Sequence, residues 1–216
     1  MKDQLRSLPS LKGPFRDVDM GDLPDTPRAA FRLWLEEAIA EGIKEPHAMT
    51  LSTVDEQGWP DARVLILKNV DKRGWHFAIK ADSPKGQQIA EARHVALTFY
   101  WPQLGRQIRL RGEAIELPSE ECAEDFLGRP IGSKISALAS KQSQILDTPD
   151  EFKRRIGEAK EFLEANPEHI APAWKVYAVA PSVVEFWQGA TDRVHKRLRY
   201  VRSETGENWK KQVLWP

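Results

Sequence analysis

The residues best suited to chemistry stand near the end of the chain. Glu185-Phe186-Trp187-Gln188-Gly189 is followed by Arg193-Val194-His195-Lys196-Arg197-Leu198-Arg199-Tyr200, a dense basic cluster holding one histidine. Arg193, His195 and Arg197 alternate, so on a β-strand they would share a face. Three cationic or near-cationic groups on one face ask for a phosphate or carboxylate, which guanidinium forks match in geometry. A solvated basic edge on a terminal hairpin fits the same residues.

Other anion-binding candidates are scattered upstream. In Ser83-Pro84-Lys85, Ser83 suits a helix N-cap and Pro84 the first helical position. That places Lys85 in the first turn, where a cation opposes the helix dipole unless an anion is present. Lys68 ends an apolar strand and either snorkels to solvent or reaches a bound anion. Arg63 has the opposite parity to Lys68, so in a regular strand the two cannot serve one face. Arg129 and Ser133 suit a phosphate, as do Gln142 and Ser143, although no spacing rule singles them out.

The elements that must position these groups read mainly as β. Of the 216 residues, Lys plus Arg and Asp plus Glu both total 32, and the zero net charge argues against a nucleic-acid surface. One cysteine, Cys122, leaves no disulfide framework or thiolate metal site. The first residues lack a signal-peptide core and no run is long enough to span a bilayer. The expectation is a cytoplasmic protein with no membrane, nucleic-acid or metal partner.

Residues 1–25, rich in Pro, Gly and Asp, read as an irregular arm, and 26–216 as one domain. Thr26-Pro27 starts a helix with Phe31, Trp34, Leu35, Ala38 and Ile39 at helical spacing, closed by Gly42. Strands follow at 48–54, 59–68 and 75–79, joined by short turns. After a helix from Ser83 to about Arg93 come strands at 95–101 and 106–117. The second alternates, with Gln107, Arg109 and Arg111 opposite Ile108 and Leu110. A helix over 119–128 buries Ala123, Phe126 and Leu127, and a turn and helix span 129–143. Thr148-Pro149-Asp150-Glu151 caps a further helix with Phe152, Ile156, Ala159 and Leu163 on one stripe. Strands at 174–179 and 183–187 precede a closing hairpin, 197–202 and 209–215, around Thr205-Gly206-Glu207-Asn208. The architecture is a mostly antiparallel barrel with peripheral helices.

In order and spacing, Arg63-Val64-Leu65-Ile66-Leu67-Lys68, Ser83-Pro84-Lys85-Gly86, Arg106-Gln107, Arg129-Pro130, Ser140-Lys141-Gln142-Ser143, Glu185-Phe186-Trp187-Gln188-Gly189 and Arg193-Val194-His195-Lys196-Arg197 resemble the pyridoxine/pyridoxamine 5'-phosphate oxidase family. The resemblance runs from Asp22-Leu23-Pro24 to Leu214-Trp215-Pro216. It implies an antiparallel split β-barrel, a homodimer with FMN between the subunits, and a phosphorylated small-molecule substrate oxidised by dioxygen. The family's flavin contacts fall on Arg63, Val64, Leu65, Ile66, Leu67, Lys68, Lys85, Gln107, Gln142, Ser143, Trp187 and Arg197. Its substrate contacts fall on Lys68, Arg129, Ser133, Arg193 and His195, the last two beside the reacting carbon as catalytic residues. The implied reaction passes a hydride from C4' of pyridoxine or pyridoxamine 5'-phosphate to the flavin, and reoxidation yields hydrogen peroxide.

The chain departs from the family at five positions. Asp125 replaces a tyrosine that contacts the substrate phosphate, and its pairing with Arg129 is expected to relieve the repulsion. Pro84 replaces an arginine, Ala78-Ile79 a Tyr-Thr pair, and Lys196 an aspartate. Two alternatives follow: a related flavin oxidase acting on another reduced ring, such as a phenazine precursor, which Asp125 favours, and a non-catalytic FMN or pyridoxal phosphate binder.

Overall fold

A computed structural model describes residues 1–203, 206 and 208–216. The chain forms α1 (Lys2–Ser7), α2 (Pro27–Ala40), β1 (Ala48–Val54), β2 (Pro60–Ile66), β3 (Asn69–Asp71), β4 (Gly74–Lys80), α3 (Pro84–Glu91), β5 (His94–Trp101), β6 (Arg106–Glu116), α4 (Ser119–Leu127), α5 (Ile131–Ala139), α6 (Pro149–Ala165), β7 (Trp174–Gln188), β8 (Lys196–Arg202) and β9 (Trp209–Leu214). The caps follow the sequence signals. Thr26, Ser83 and Thr148 each accept a backbone N–H from the first turn of α2, α3 and α6, with proline at the helix start.

The strands run antiparallel in the order β2-β1-β5-β6-β7-β4-β3, and β8 and β9 branch from β7. This fork makes the barrel a split one. Residues expected as two strands form one, β7, which pairs with β6 along most of its length. Its first half pairs on the other side with β4, its second with β8. The register shifts between Arg111 and Gly112, opposite Pro181. Pro181 has no N–H to donate, so the ladder breaks there without orphaning a donor.

α2 plugs the barrel. Phe31 packs edge-on against Phe99 and Trp75, with ring centroids 4.9 and 5.5 Å apart, and Trp34 meets Phe186 at 5.1 Å. Ile39 of the same helix is exposed. In α4 the buried residues are Cys122 and Phe126, and Ala123 and Leu127 are only half-buried. α6 buries Ala159 and Leu163 of its stripe and leaves Phe152 exposed. Within the residues expected to be irregular, Lys2–Ser7 is helical, and Met20 and Leu23 sit in the core. Tyr200 fastens that segment by donating its hydroxyl to the Pro24 carbonyl at 2.7 Å. The turn expected around Thr205 and Glu207 lies outside the described residues.

Candidate active site

The sequence-predicted residues gather in two groups, one near each end of β7. The first surrounds the start of α3. Ser83 Oγ, buried, accepts from Gly86 N–H and from Lys85 Nζ and donates to the Lys80 carbonyl. Lys85 is only 5% exposed and donates to Gln142 Oε1 at 2.9 Å. Burial, and after it the like charge of Arg63, push its pKa down to about 8. Arg63 hydrogen-bonds Thr53 Oγ1 at 2.6 Å and pairs with Asp61. Ser143 follows Gln142 with a left-handed backbone, φ 67°. Gly86 lets the helix start this close to the strand, because a Cβ there would lie 2.4 Å from the Ala81 carbonyl oxygen.

Arg63, the buried Lys85 with its lowered pKa, and a helix N-terminus make a cradle for a phosphate. The donor set therefore fits the phosphate of FMN. Lys80 and Arg155, which the sequence did not single out, hold Gln142 in reach. They donate to the carbonyls of Ser140 and Ala139 at the end of α5.

On the same side lies a second cation group. β2 ends at Ile66 rather than at Lys68, and the Lys68 N–H donates to the His76 carbonyl in the link to β3. Strand parity therefore does not govern Lys68. Val64 and Ile66 point outward on the edge strand, exposed, whereas Leu65 is partly buried against the core and Leu67 is buried. Lys68 Nζ is 3.1 Å from Asp125 Oδ1. Asp125 Oδ2 also accepts from Trp174 Nε1 at 2.8 Å. The expected Asp125–Arg129 pair is replaced by these contacts. Arg129 instead stacks on the Trp174 ring at 3.8 Å and donates to the Ser133 carbonyl. Burial lowers the Arg129 pKa and the charge of Asp125 opposes that shift. Trp174 had no signal in the sequence, since its role depends on contacts with residues about 50 positions away.

The second group stands at the far end of β7. Gln107, Trp187 and Arg197 are direct neighbours across β6, β7 and β8, so they share one face in a single row. Arg197 is held by Glu185, whose other carboxylate oxygen accepts from Arg109. Arg106, buried, bonds Gln188 and Glu37 and stacks on Trp34, fixing the strand ends beneath the row.

Arg193 and His195 do not lie on the strand as expected. β8 begins at Lys196, and Arg193 takes a left-handed backbone, φ 70°. This bend, not strand alternation, brings His195 to Trp187, with ring centroids 4.9 Å apart. The Ala190 N–H donates to His195 Nδ1 at 3.1 Å, so the neutral ring carries its proton on Nε2. The arm lies over this bend: Arg193 donates to Ser10 Oγ, and Lys196 pairs with Asp17.

Trp174 and Trp187 lie 13 residues apart on one strand, a path along β7 of roughly 40 Å at about 3.3 Å per residue. A cleft of about 490 Å³ between the start of α2 and the Asp71–Gly74 turn is lined by none of the candidate site residues.

The barrel and its phosphate cradle define an FMN-binding split-barrel protein. Residues 35–171 match the family model for pyridoxamine 5'-phosphate oxidase, and residues 174–216 match that for the pyridoxine 5'-phosphate oxidase C-terminal dimerisation region. The pyridoxine/pyridoxamine 5'-phosphate oxidase of Salinibacter ruber is 40% identical, over 93% of this chain and 94% of its own. That of Paraburkholderia xenovorans is 37% identical, over 92% and 93%. Among solved structures, PhzG from Burkholderia lata in complex with tetrahydrophenazine-1-carboxylic acid superposes with a TM-score of 0.86 at 29% identity, covering 94% of this chain and all of that one. The chain belongs to the pyridoxine/pyridoxamine 5'-phosphate oxidase family, whose cofactor is FMN.

Proposed function

We propose that the protein is an FMN-dependent oxidase that converts pyridoxine 5'-phosphate or pyridoxamine 5'-phosphate to pyridoxal 5'-phosphate as a homodimer with shared sites. The reading is carried by the Arg193 bend, which brings the His195 ring with its Nε2–H to the Trp187 row while the Arg193 guanidinium meets Ser10 of the arm. FMN, when bound, supplies the two-electron acceptor and hands the electrons to dioxygen, giving hydrogen peroxide.

The chain's own groups then have distinct tasks. Lys85, Arg63, Gln142 and Ser143 hold the cofactor phosphate, and Gln107, Trp187 and Arg197 hold the flavin from the partner. Lys68, Arg129 and Ser133 anchor the substrate phosphate. Arg193 and His195 donate to the oxygen or nitrogen on C4', aiming its C–H bond at the flavin. The path of roughly 40 Å along β7 between the groups supports sharing, with one flavin drawing its contacts from two chains.

Oxygen uptake by the FMN-loaded protein with each phosphate ester tests the reading, with turnover yielding the absorbance of pyridoxal 5'-phosphate. Arg193→Lys loses the planar fork and should lower turnover by roughly a hundredfold with flavin content unchanged. Flavin retention without turnover of either ester would defeat the reading. A second reading, oxidation of a different reduced ring, is favoured by the Asp125–Lys68 pair and by the likeness to PhzG, whose complex holds a carboxylic acid.

A further inference from the structure

We propose that Lys80 is a further cofactor-binding residue, the third cation of the cradle that receives the phosphate of FMN. The inference rests on the proposed placement of that phosphate at the start of α3.

Position comes first. Lys80 is the last residue of β4, and its carbonyl accepts from both the N–H and the hydroxyl of Ser83, the cap of α3. Its side chain reaches the other wall of the cradle, where Nζ donates to the Ser140 carbonyl at 2.6 Å, two residues before Gln142. One residue thus ties the strand end, the helix start and the 140–143 segment together.

Capping the end of α5 would account for a cation here. It does not account for the charge left over. An ammonium has three N–H donors, and the Ser140 carbonyl takes one. Asp82 Oδ2 lies 3.6 Å away on a side chain 60% exposed, whereas that of Lys80 is 12% exposed. Arg63 repeats the pattern, 21% exposed and paired with an Asp61 that is 53% exposed. Lys85 is buried and donates only to neutral oxygens, those of Ser83 and Gln142. Three cations are therefore largely shielded from water, while the two carboxylates stand in it and are screened. Burial and Arg63 are the larger causes of the lowered Lys85 pKa, and Lys80 adds to them as a further like charge. Such an excess is unfavourable alone. A phosphate monoester, with nearly two negative charges at neutral pH, relieves it.

The test separates charge from support. The full chain freed of flavin is titrated with FMN and with riboflavin, which lacks the phosphate, and binding is read from quenching of flavin fluorescence. Lys80→Gln keeps an N–H donor for Ser140 and removes the charge. It should weaken FMN by at least about fivefold and leave riboflavin within about twofold of wild type. The FMN affinity of this variant should also fall less steeply with added salt. Lys80→Arg restores the charge and should return the preference for FMN. Arg155→Gln removes the neighbouring support at the Ala139 carbonyl and should leave the ratio of the two affinities as in wild type.

An equal loss of both flavins in Lys80→Gln, or no loss of either, overturns the inference. So does an Arg155→Gln variant that loses the FMN preference to the same extent. Lys85→Met separates this failure from that of the cofactor placement. If Lys85→Met abolishes the preference for FMN and Lys80→Gln does not, the cradle stands and the role of Lys80 falls. If neither substitution alters the preference, the phosphate lies elsewhere and both readings fall.

Discussion

At the Trp174 end of β7 the cations stand on a helix start, an edge strand, and the links after β2 and between α4 and α5. At the Gln188 end the candidate row is a product of strand register alone. The first group is assembled from local devices: the Ser83 cap, Pro84, and a Gly86 against which the Ala81 carbonyl closes. The second exists because Gln107, Trp187 and Arg197 fall opposite one another on three strands, with Glu185 fastening Arg197. Local devices tolerate change elsewhere in the sheet. A register-built row shifts as a whole, because a slip of one residue turns each side chain to the other face.

The sharpest way to break this comparison is to damage one group per chain. Lys85→Met and Arg197→Met should each weaken FMN binding by roughly tenfold to a hundredfold, since each removes a charge-assisted contact. Refolding the two variants together should restore about one quarter of the sites to full affinity. Half the dimers formed are mixed, and each mixed dimer holds one intact site. Flavin titration that finds no tight sites in the mixture would mean that one chain supplies both groups.

Stability divides the groups next. Gly86→Ala puts a methyl against backbone and should cost about 1–3 kcal/mol in denaturant unfolding, with the Trp187 row untouched. Arg197→Met removes a partner of Glu185 but leaves Arg109 in place, so its cost should be smaller, about 1 kcal/mol.

The smallest effect is a pH dependence that belongs to one group. Lys85 has its pKa lowered from 10.5 to about 8 in the folded chain without ligand. Between these values the unfolded state binds more protons, so apo stability should rise with pH across that window. FMN affinity should move the other way, falling above about pH 8 as the cation needed by the phosphate is lost. Lys85→Met should flatten both curves, measured by denaturant midpoint and by flavin titration.

How much of this was legible in the chain follows the same division. Caps, helix starts and the alternation of β6 are short-range signals, and Thr26, Ser83 and Thr148 announce them. Gly86 was likewise visible in its motif. The fork in β7 was not, because Pro181 reads locally as a break, and only the partner strand shows that the ladder resumes beyond it. Arg193 and His195 were singled out on an alternation that suggested a strand, and the structure supplies a left-handed bend instead. Asp125 was recognised as out of pattern. Its partners were not, since Lys68 and Trp174 lie 57 and 49 residues away. Arg106 and Gln188, which buttress the row, were seen as parts of motifs without a task.

The fork has one more consequence. A Cβ on Gly112 would lie 2.0 Å from the Ala180 carbonyl oxygen, and this contact sits where the strand turns from β4 toward β8. Gly112 is not one of the candidate site residues, yet it lies on β6 at the register shift between the two halves of β7. In a symmetric pair of chains any change at this bend is made twice. A single methyl group added at position 112 would therefore act as a wedge in the frame of each chain, while leaving every candidate contact residue in the sequence unaltered.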